Sequence, residues 1–202
     1  IGNGGNQQIY HKLGSVPGML WVRNYGSSDA WRVYHSHLNQ GNNPQNYYLQ
    51  LNSNNNPNGR VDDSGAWNDT APTASRFTVG SSNNVNQNGD PSYWHAWAAD
   101  VTGLCKTGIY TGNGGSSAHT IDLGFQPRFL LVKNADRAGV NWIIYDTLRG
   151  WTGTNDKFIC LNQDLAEGTT TIGPPTSTGF TVNSTNNSVN ASGETYIYYA
   201  HA

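Results

Sequence analysis

Charge is scarce in this sequence. Asp, Glu, Lys and Arg make up 12% of 202 residues, and the formal net charge is −2, where an ordinary globular chain is about one quarter charged. No Lys/Arg cluster occurs, so the electrostatic footprint of a nucleic-acid binder is missing. No apolar run approaches the ~18 residues of a membrane span, which argues against membrane insertion. Leucine is sparse and methionine occurs once. Their place is taken by Asn, Gly, Ser and Thr, which prefer turns and caps to helix interiors, so long helices are not expected. The two cysteines, Cys105 and Cys160, form neither a C-x-x-C pair nor a Cys/His cluster. They read as free thiols, in keeping with assembly in a reducing cytoplasm. No secretory leader opens the chain, and it starts at Ile1 inside a motif that recurs later. The expectation is a segment of a longer protein, or a processed one.

What is present is a duplication. Ile1-Gly-Asn-Gly-Gly5 and Leu13-Gly-Ser-Val-Pro17 through Asn24 return as Thr111-Gly-Asn-Gly-Gly115 and Leu123-Gly-Phe-Gln-Pro127 through Asn134, at a constant spacing of 110 residues. Low-complexity bias would repeat Asn and Gly, but it would not hold Leu-Gly-x-x-Pro and an apolar run in register. Downstream, Trp31-Arg-Val-Tyr34 answers Trp142-Ile-Ile-Tyr145, and Tyr48-Leu-Gln-Leu51-Asn52 answers Phe158-Ile-Cys-Leu161-Asn162. Phe77-Thr-Val79 answers Phe180-Thr-Val182, and the shorter spacing there places an insertion in the first copy around Arg60–Thr73. Val85-Asn86 answers Val189-Asn190, and both copies close on aromatic runs, Tyr93–Trp97 and Tyr196–Tyr199. A unit of about a hundred residues is the size of a small domain and too long for a solenoid repeat.

Short aromatic and β-branched stretches bounded by turn residues read as strands. In the first copy they fall at Gln8–Lys12, Met19–Arg23, Trp31–Leu38, Tyr47–Leu51, Arg76–Val79 and Tyr93–Val101. An extra strand is expected at Arg60–Trp67, and an Asn-rich loop at Asn52–Asn58. The second copy repeats the order at Thr120–Leu123, Phe129–Asn134, Trp142–Thr147, Phe158–Leu161, Gly179–Asn183 and Thr195–Ala200. A helical turn is expected at Asn162–Gly168. The predicted fold is all-β: two tandem homologous β-sandwich, jelly-roll-like domains, residues 1–102 and 103–202, joined near Thr102–Lys106 without the signals of a flexible linker. Trp31 and Trp142 are the expected core anchors, each worth ~3–5 kcal/mol against truncation.

The chemistry-bearing residues point away from catalysis. Gly-Asn-Gly-Gly lacks the Lys-Ser/Thr pair of a phosphate loop and leads into a strand. No serine stands in a Gly-x-Ser-x-Gly elbow. The two glutamates, Glu167 and Glu194, fall in turns rather than as a facing pair of the kind glycoside hydrolysis needs. His35-Ser36-His37 places two imidazoles on one strand face, with His11 or His95 as a third ligand, but the second copy has Asp146 and Leu148 there, so no metal and no cofactor is expected. Asp62, Asp63 and Asp69 could meet calcium with Asn-loop carbonyls, and read instead as solvated turn residues. Trp67, Trp94, Trp97, Trp151, Tyr47 and Tyr48 exceed what two small cores need. Aromatic faces beside Asn and Asp suit carbohydrate recognition and equally suit subunit contacts, and both uses stay open.

Leu13-Gly-Ser-Val-Pro17-Gly-Met19, Trp67-Asn-Asp-Thr70-Ala-Pro72-Thr, Phe77-Thr-Val-Gly80 and Val85-Asn86 resemble one half of a tandem repeat of tailed-bacteriophage virion proteins. Tyr110-Thr-Gly-Asn-Gly114, Leu123-Gly-Phe-Gln-Pro127, Tyr145-Asp-Thr-Leu-Arg149-Gly150 and Val189-Asn190-Ala-Ser-Gly193-Glu-Thr-Tyr196-Ile-Tyr198 resemble its partner half. Such repeats recur in tail-fibre-like and other surface proteins, notably of phages of aquatic bacteria. The resemblance covers nearly the whole chain and brings no catalytic motif. It implies a non-enzymatic virion surface or tail-fibre segment on the outside of the particle, attaching to a host-surface glycan. The alternative is a capsid decoration or fibre-shaft protein with no glycan ligand. Other virion proteins are the expected partners, and the surplus aromatics add a homo-oligomer, expected as a trimer.

Overall fold

Short apolar stretches punctuated by Gly, Asn and Pro leave little room for helix. The computed structural model is 38% strand and 11% helix, with several antiparallel sheets and no long helix. The structure describes residues 1–26, 28–53 and 59–202, so most of the Asn-rich loop expected at Asn52–Asn58 lies outside the described residues. Among the described residues no helix is long and apolar enough to cross a membrane. The chain divides into two compact units, Ile1–Ala99 and Asp100–Ala202.

Unit 1 contains β1 (Gln7–Tyr10), β2 (Pro17–Asn24), β3 (Arg32–His35), β4 (Tyr47–Gln50), β5 (Val61–Asp62), helix α1 (Ser64–Trp67), β6 (Arg76–Val79), helix α2 (Asn83–Asn86) and β7 (Ser92–Ala98). Strands β5-β4-β3-β2-β7 form one antiparallel sheet, and β1 pairs with β6 in a second. β2 is apolar on both faces because it is central: Leu20 lies opposite Tyr34 on β3 and Ala96 on β7. Leu20, Val22 and Tyr34 from the large sheet pack with Phe77 and Val79 of β6, Val85 of α2 and Trp67 of α1. The expected strand at Arg60–Trp67 is only two residues long before α1 begins. The Asp63 carboxylate accepts from the Gly65 amide at 2.8 Å and caps the turn, an N-terminal arrangement that favours helix over strand.

Unit 2 contains β8 (Asp100–Val101), β9 (Cys105–Thr111), β10 (His119–Asp122), β11 (Phe129–Asn134), β12 (Ile143–Asp146), β13 (Lys157–Cys160), β14 (Gly168–Thr169), β15 (Pro175–Thr176), β16 (Gly179–Val182), helix α3 (Asn187–Asn190) and β17 (Thr195–His201). The large sheet runs β14-β13-β12-β11-β17-β9-β8, and the small one β10-β16-β15. The expected joint at Thr102–Lys106 lies within the β8–β9 hairpin, where Val101 pairs with Cys105. The helical turn expected at Asn162–Gly168 is absent. Ala166 and Glu167 are exposed there, so no buried face holds a helical turn in place. Cys105 and Cys160 are both free thiols.

The two units share local geometry down to single hydrogen bonds. The order β4-β3-β2-β7 matches β13-β12-β11-β17. Leu130 and Val132 lie opposite Ala200 and Tyr198, as Leu20 and Val22 lie opposite Ala96 and Trp94. The Trp31 amide donates to Asn52 Oδ1 at 2.9 Å, and the Trp142 amide to Asn162 Oδ1 at 2.8 Å. In each unit a buried Asn clamps the Gly-Asn-Gly turn: Asn86 Oδ1 accepts from the Asn3 amide, and Asn190 Oδ1 from the Asn113 amide. That turn presses so closely that a Cβ on Gly2 would stand 2.2 Å from the Gln87 carbonyl, and one on Gly112 2.1 Å from the Ala191 carbonyl. The Gly-Asn-Gly-Gly signature is therefore a packing motif.

Candidate functional site

Strand alternation sends Ile143 and Tyr145 of β12, and Phe158 and Cys160 of β13, toward the core side of the large sheet in unit 2. At the β13 end this layer is incompletely covered, and a cavity of about 410 Å³ opens over it. Half-buried Phe158 supplies an aromatic wall, Tyr145 lies fully buried beside it, and Asn141, Asn186 and Ser188 supply polar groups. Gly168 of β14 lets the Phe158 ring lie against the backbone, since a Cβ there would meet the ring at 2.3 Å. The size falls in the range of small-molecule sites, roughly 300–1,000 Å³.

Most of its polar groups are held in place by hydrogen bonds to their neighbours. Asn141 Oδ1 accepts from Asn162 Nδ2 at 3.0 Å, and Asn141 Nδ2 donates to Cys160 Sγ at 3.5 Å. Asn186 Oδ1 caps α3 through the Ser188 amide at 2.8 Å, and its Nδ2 donates to Thr170 Oγ1 at 3.3 Å. Tyr145 is the exception: its hydroxyl is shielded from solvent and has no hydrogen-bond partner among the described residues. An unmade bond of this kind costs ~1–3 kcal/mol, and with Tyr145 0% exposed the hydroxyl is closed to a ligand. Burial, reinforced by Asp156 and Cys160, raises the Tyr145 pKa and keeps the phenol neutral. Burial likewise pushes the Cys160 thiol up, away from the thiolate that nucleophilic or metal chemistry requires. Among the described residues no carboxylate or cation lines the cavity. Its chemistry suits a neutral, hydroxyl-rich molecule with one flat face.

Tyr145 meets the Trp151 ring at 6.1 Å, and unit 1 has a like contact. Tyr34, the counterpart of Tyr145, meets the Trp67 ring of α1 edge to face at 6.2 Å. Residues 1–202 match the family model described as Domain of unknown function (DUF7483). The chain belongs to that family. No curated protein and no solved structure matches it. The family match takes in both units.

In this family member the six aromatics singled out by sequence are not brought together. Trp67 and Trp151 are core residues, 2% and 1% exposed, and present no face to a ligand. Their indole N–H groups donate to the Tyr47 and Gly173 carbonyls at 3.0 and 2.8 Å, so the rings are buried without stranding a donor. Tyr48 is also buried, with the Arg32 guanidinium 4.2 Å from its ring centre, while Tyr47 is half-buried with Arg60 5.7 Å away. Trp97 is half-buried against Trp21 at 4.4 Å. Trp94 is exposed on β7 and meets Phe77 edge to face at 5.5 Å. Of the expected core anchors, Trp142 is buried, whereas Trp31 is half-buried beside His95 at 6.1 Å.

The polar candidates also have local employment. His35 and His37 stand 5.7 Å apart, but His11 lies on Phe77 and His95 among tryptophans. Among the described residues no group of three or more His, Cys, Asp or Glu could hold a metal. Glu194 accepts from Arg137 Nε at 2.8 Å, and that guanidinium lowers its pKa. Glu167 pairs with Arg149 at 3.2 Å. Asp62 and Asp69 are exposed. The cavity residues Tyr145, Phe158, Asn141 and Asn186 were not singled out from sequence. Nothing in their sequence pattern set them apart from core residues.

Proposed function

We propose that this chain is a non-enzymatic segment of a bacteriophage virion surface or tail fibre, built of two tandem jelly-roll-like β-sandwich domains, and that it holds a host-surface glycan in the unit 2 cavity. The duplicated motifs that resemble virion repeats support the setting. The observation that carries the ligand class is the cavity itself, with the half-buried Phe158 ring as its aromatic wall and amide and hydroxyl groups around it. A sugar ring offers an apolar face to Phe158 and hydroxyls to Asn141, Asn186 and Ser188.

The test is a binding screen of the 202-residue protein against bacterial surface polysaccharides and their oligosaccharides. We expect a saturable ligand whose affinity falls by about tenfold or more in Phe158→Ala and in Asn186→Ala, with circular dichroism unchanged. A folded protein that binds no member of the panel would leave the second reading, a capsid decoration or fibre-shaft protein. That reading draws support from Tyr93 and Trp94, 55% and 38% exposed on the outermost strand of the unit 1 sheet. Such aromatics suit contacts with other virion proteins, or with further copies in a homotrimer.

A further inference from the structure

The cavity beside β13 has a neighbour. Beyond it a second cavity of about 420 Å³ opens, lined by Thr170, Thr171, Asn183, Ser184, Thr185 and Asn186. Thr170 and Asn186 line both, so the two cavities adjoin. Their linings differ in kind. Phe158, Leu165 and Ala166 give the first an apolar side, whereas every side chain around the second carries a hydroxyl or an amide. Among the described residues no Asp, Glu, Lys or Arg lines either one.

The second cavity is fixed largely through its backbone. On one side the Thr170 amide donates to the Asp156 carbonyl at 2.9 Å, and the Ile172 amide to the buried Asp156 carboxylate at 3.0 Å. The Asn183 amide donates across to the Ile172 carbonyl at 2.9 Å. On the other side the Ser184 carbonyl accepts from buried Asn190 at 2.7 Å, and the Ser184 hydroxyl accepts from the Asn186 amide at 3.1 Å. Asn186 Nδ2, reaching Thr170 Oγ1, ties the two sides together at the boundary. Asn183 and Thr185 are left exposed, and among the described residues their side chains make no hydrogen bond. Polar groups set on a fixed backbone lower the ordering cost of binding. The duplication does not repeat this amide: Gly80 stands at the place of Asn183 in unit 1, where a Cβ would lie 2.4 Å from the Gly65 carbonyl.

We propose that the two cavities are successive subsites of one site, and that its occupant is a neutral oligosaccharide, a disaccharide at minimum. One sugar lays its apolar face on Phe158. The next lies beyond Thr170 and Asn186 and offers its hydroxyls to Asn183 and Thr185. A sugar hydroxyl both donates and accepts, which suits a lining of amides and hydroxyls. A peptide fits less well, since no large apolar or charged side chain in the second subsite would grip one of its own. An acidic glycan would find no cation to pair with in either subsite. This inference rests on the glycan reading and adds to it the length and the charge of the chain that binds.

The test is nitrogen-15 NMR of the 202-residue protein, titrated with mono-, di- and trisaccharides cut from neutral bacterial surface polysaccharides. Uronic-acid oligosaccharides of the same lengths are the charged probe. We expect a disaccharide to bind at least about tenfold more tightly than its monosaccharide, and to move the signals of Thr171, Asn183 and Thr185 as well as those beside Phe158. Asn183→Ala and Thr185→Ala should each weaken the disaccharide about fivefold, as for loss of one neutral hydrogen bond. Neither should change the affinity for the monosaccharide, whereas Phe158→Ala should weaken both sugars. Three results overturn this proposal and leave the glycan reading standing: equal affinity for the two lengths, disaccharide binding unchanged in both polar variants, or tighter binding of the uronic-acid probes. If no saccharide binds, or if Phe158→Ala binds as the wild type does, the glycan reading falls and this proposal falls with it.

Discussion

Lys133 shows how a single side chain sets a pH dependence. It is 4% exposed on β11, and its ammonium donates to the Val140 carbonyl at 2.6 Å. Burial lowers its pKa from 10.5 to about 8. The folded value lies below the unfolded one, so the full cost of burying the charge is present below pH 8. Between pH 8 and 10.5 the folded state gives up its proton first, and stability contributed at this site rises. The gain is at most ~3 kcal/mol. Urea unfolding at pH 7.5 and at pH 10 should show this rise in the wild type and not in Lys133→Met. Tyr34, Tyr196 and Tyr198, raised by burial to about 12, act in the opposite direction as pH climbs from 10 to 12. They do so in both proteins and cancel in the comparison. An equal pH response in the variant would show that Lys133 is not the source.

At the scale of elements, one buried asparagine per unit ties a short helix to a distant turn. Asn190 Nδ2 donates to the Ser184 carbonyl at 2.7 Å and to Asn113 Oδ1 at 3.0 Å, while Asn190 Oδ1 receives the Asn113 amide. Asn190→Ala strands these groups and should cost about 2–4 kcal/mol, read as a lower thermal midpoint. A variant within experimental error of wild type would remove the clamp from the account. The repeated Val-Asn pair marked this residue in the sequence without revealing its role. The strands were legible where apolar alternation met turn residues: Phe129–Asn134 and Arg76–Val79 form as read. β9 was not, because Cys105-Lys-Thr-Gly-Ile-Tyr-Thr carries few of the bulky residues that announce a strand, and its glycine is demanded by a tyrosine on the neighbouring strand. The one-turn helices α1, α2 and α3 rest on side-chain caps from Asp63, Ser82 and Asn186, a signal too short to show as helical periodicity. Trp67 and Trp151 were misjudged for a related reason: their indole acceptors are backbone carbonyls, which composition cannot reveal. The candidate cavity was not legible, because its residues read as ordinary strand and turn residues.

At the scale of the molecule, the question is where apolar surface goes. Tyr10, Tyr25, Tyr93 and Leu148 are among the exposed large side chains, and soluble monomers seldom leave contiguous patches of such groups in water. Within the proposed virion setting we expect a homo-oligomer, a trimer, by light scattering at micromolar concentration. Mutating Tyr93→Ser should weaken it if the β7 face takes part. A monodisperse monomer that still binds a glycan would separate attachment from assembly.

The placement of β17 carries a consequence for synthesis. In the order β14-β13-β12-β11-β17-β9-β8, the segment Thr195–His201 lies between strands that precede it by many residues. Until the ribosome has released it, β8–β9 and β11–β14 are two separate ladders with no hydrogen bonds joining them. The seam between them is closed by the last strand of unit 2 to emerge. Translation order and sheet order therefore run against each other, and two unpaired edges, on β9 and β11, must wait for the same seven residues.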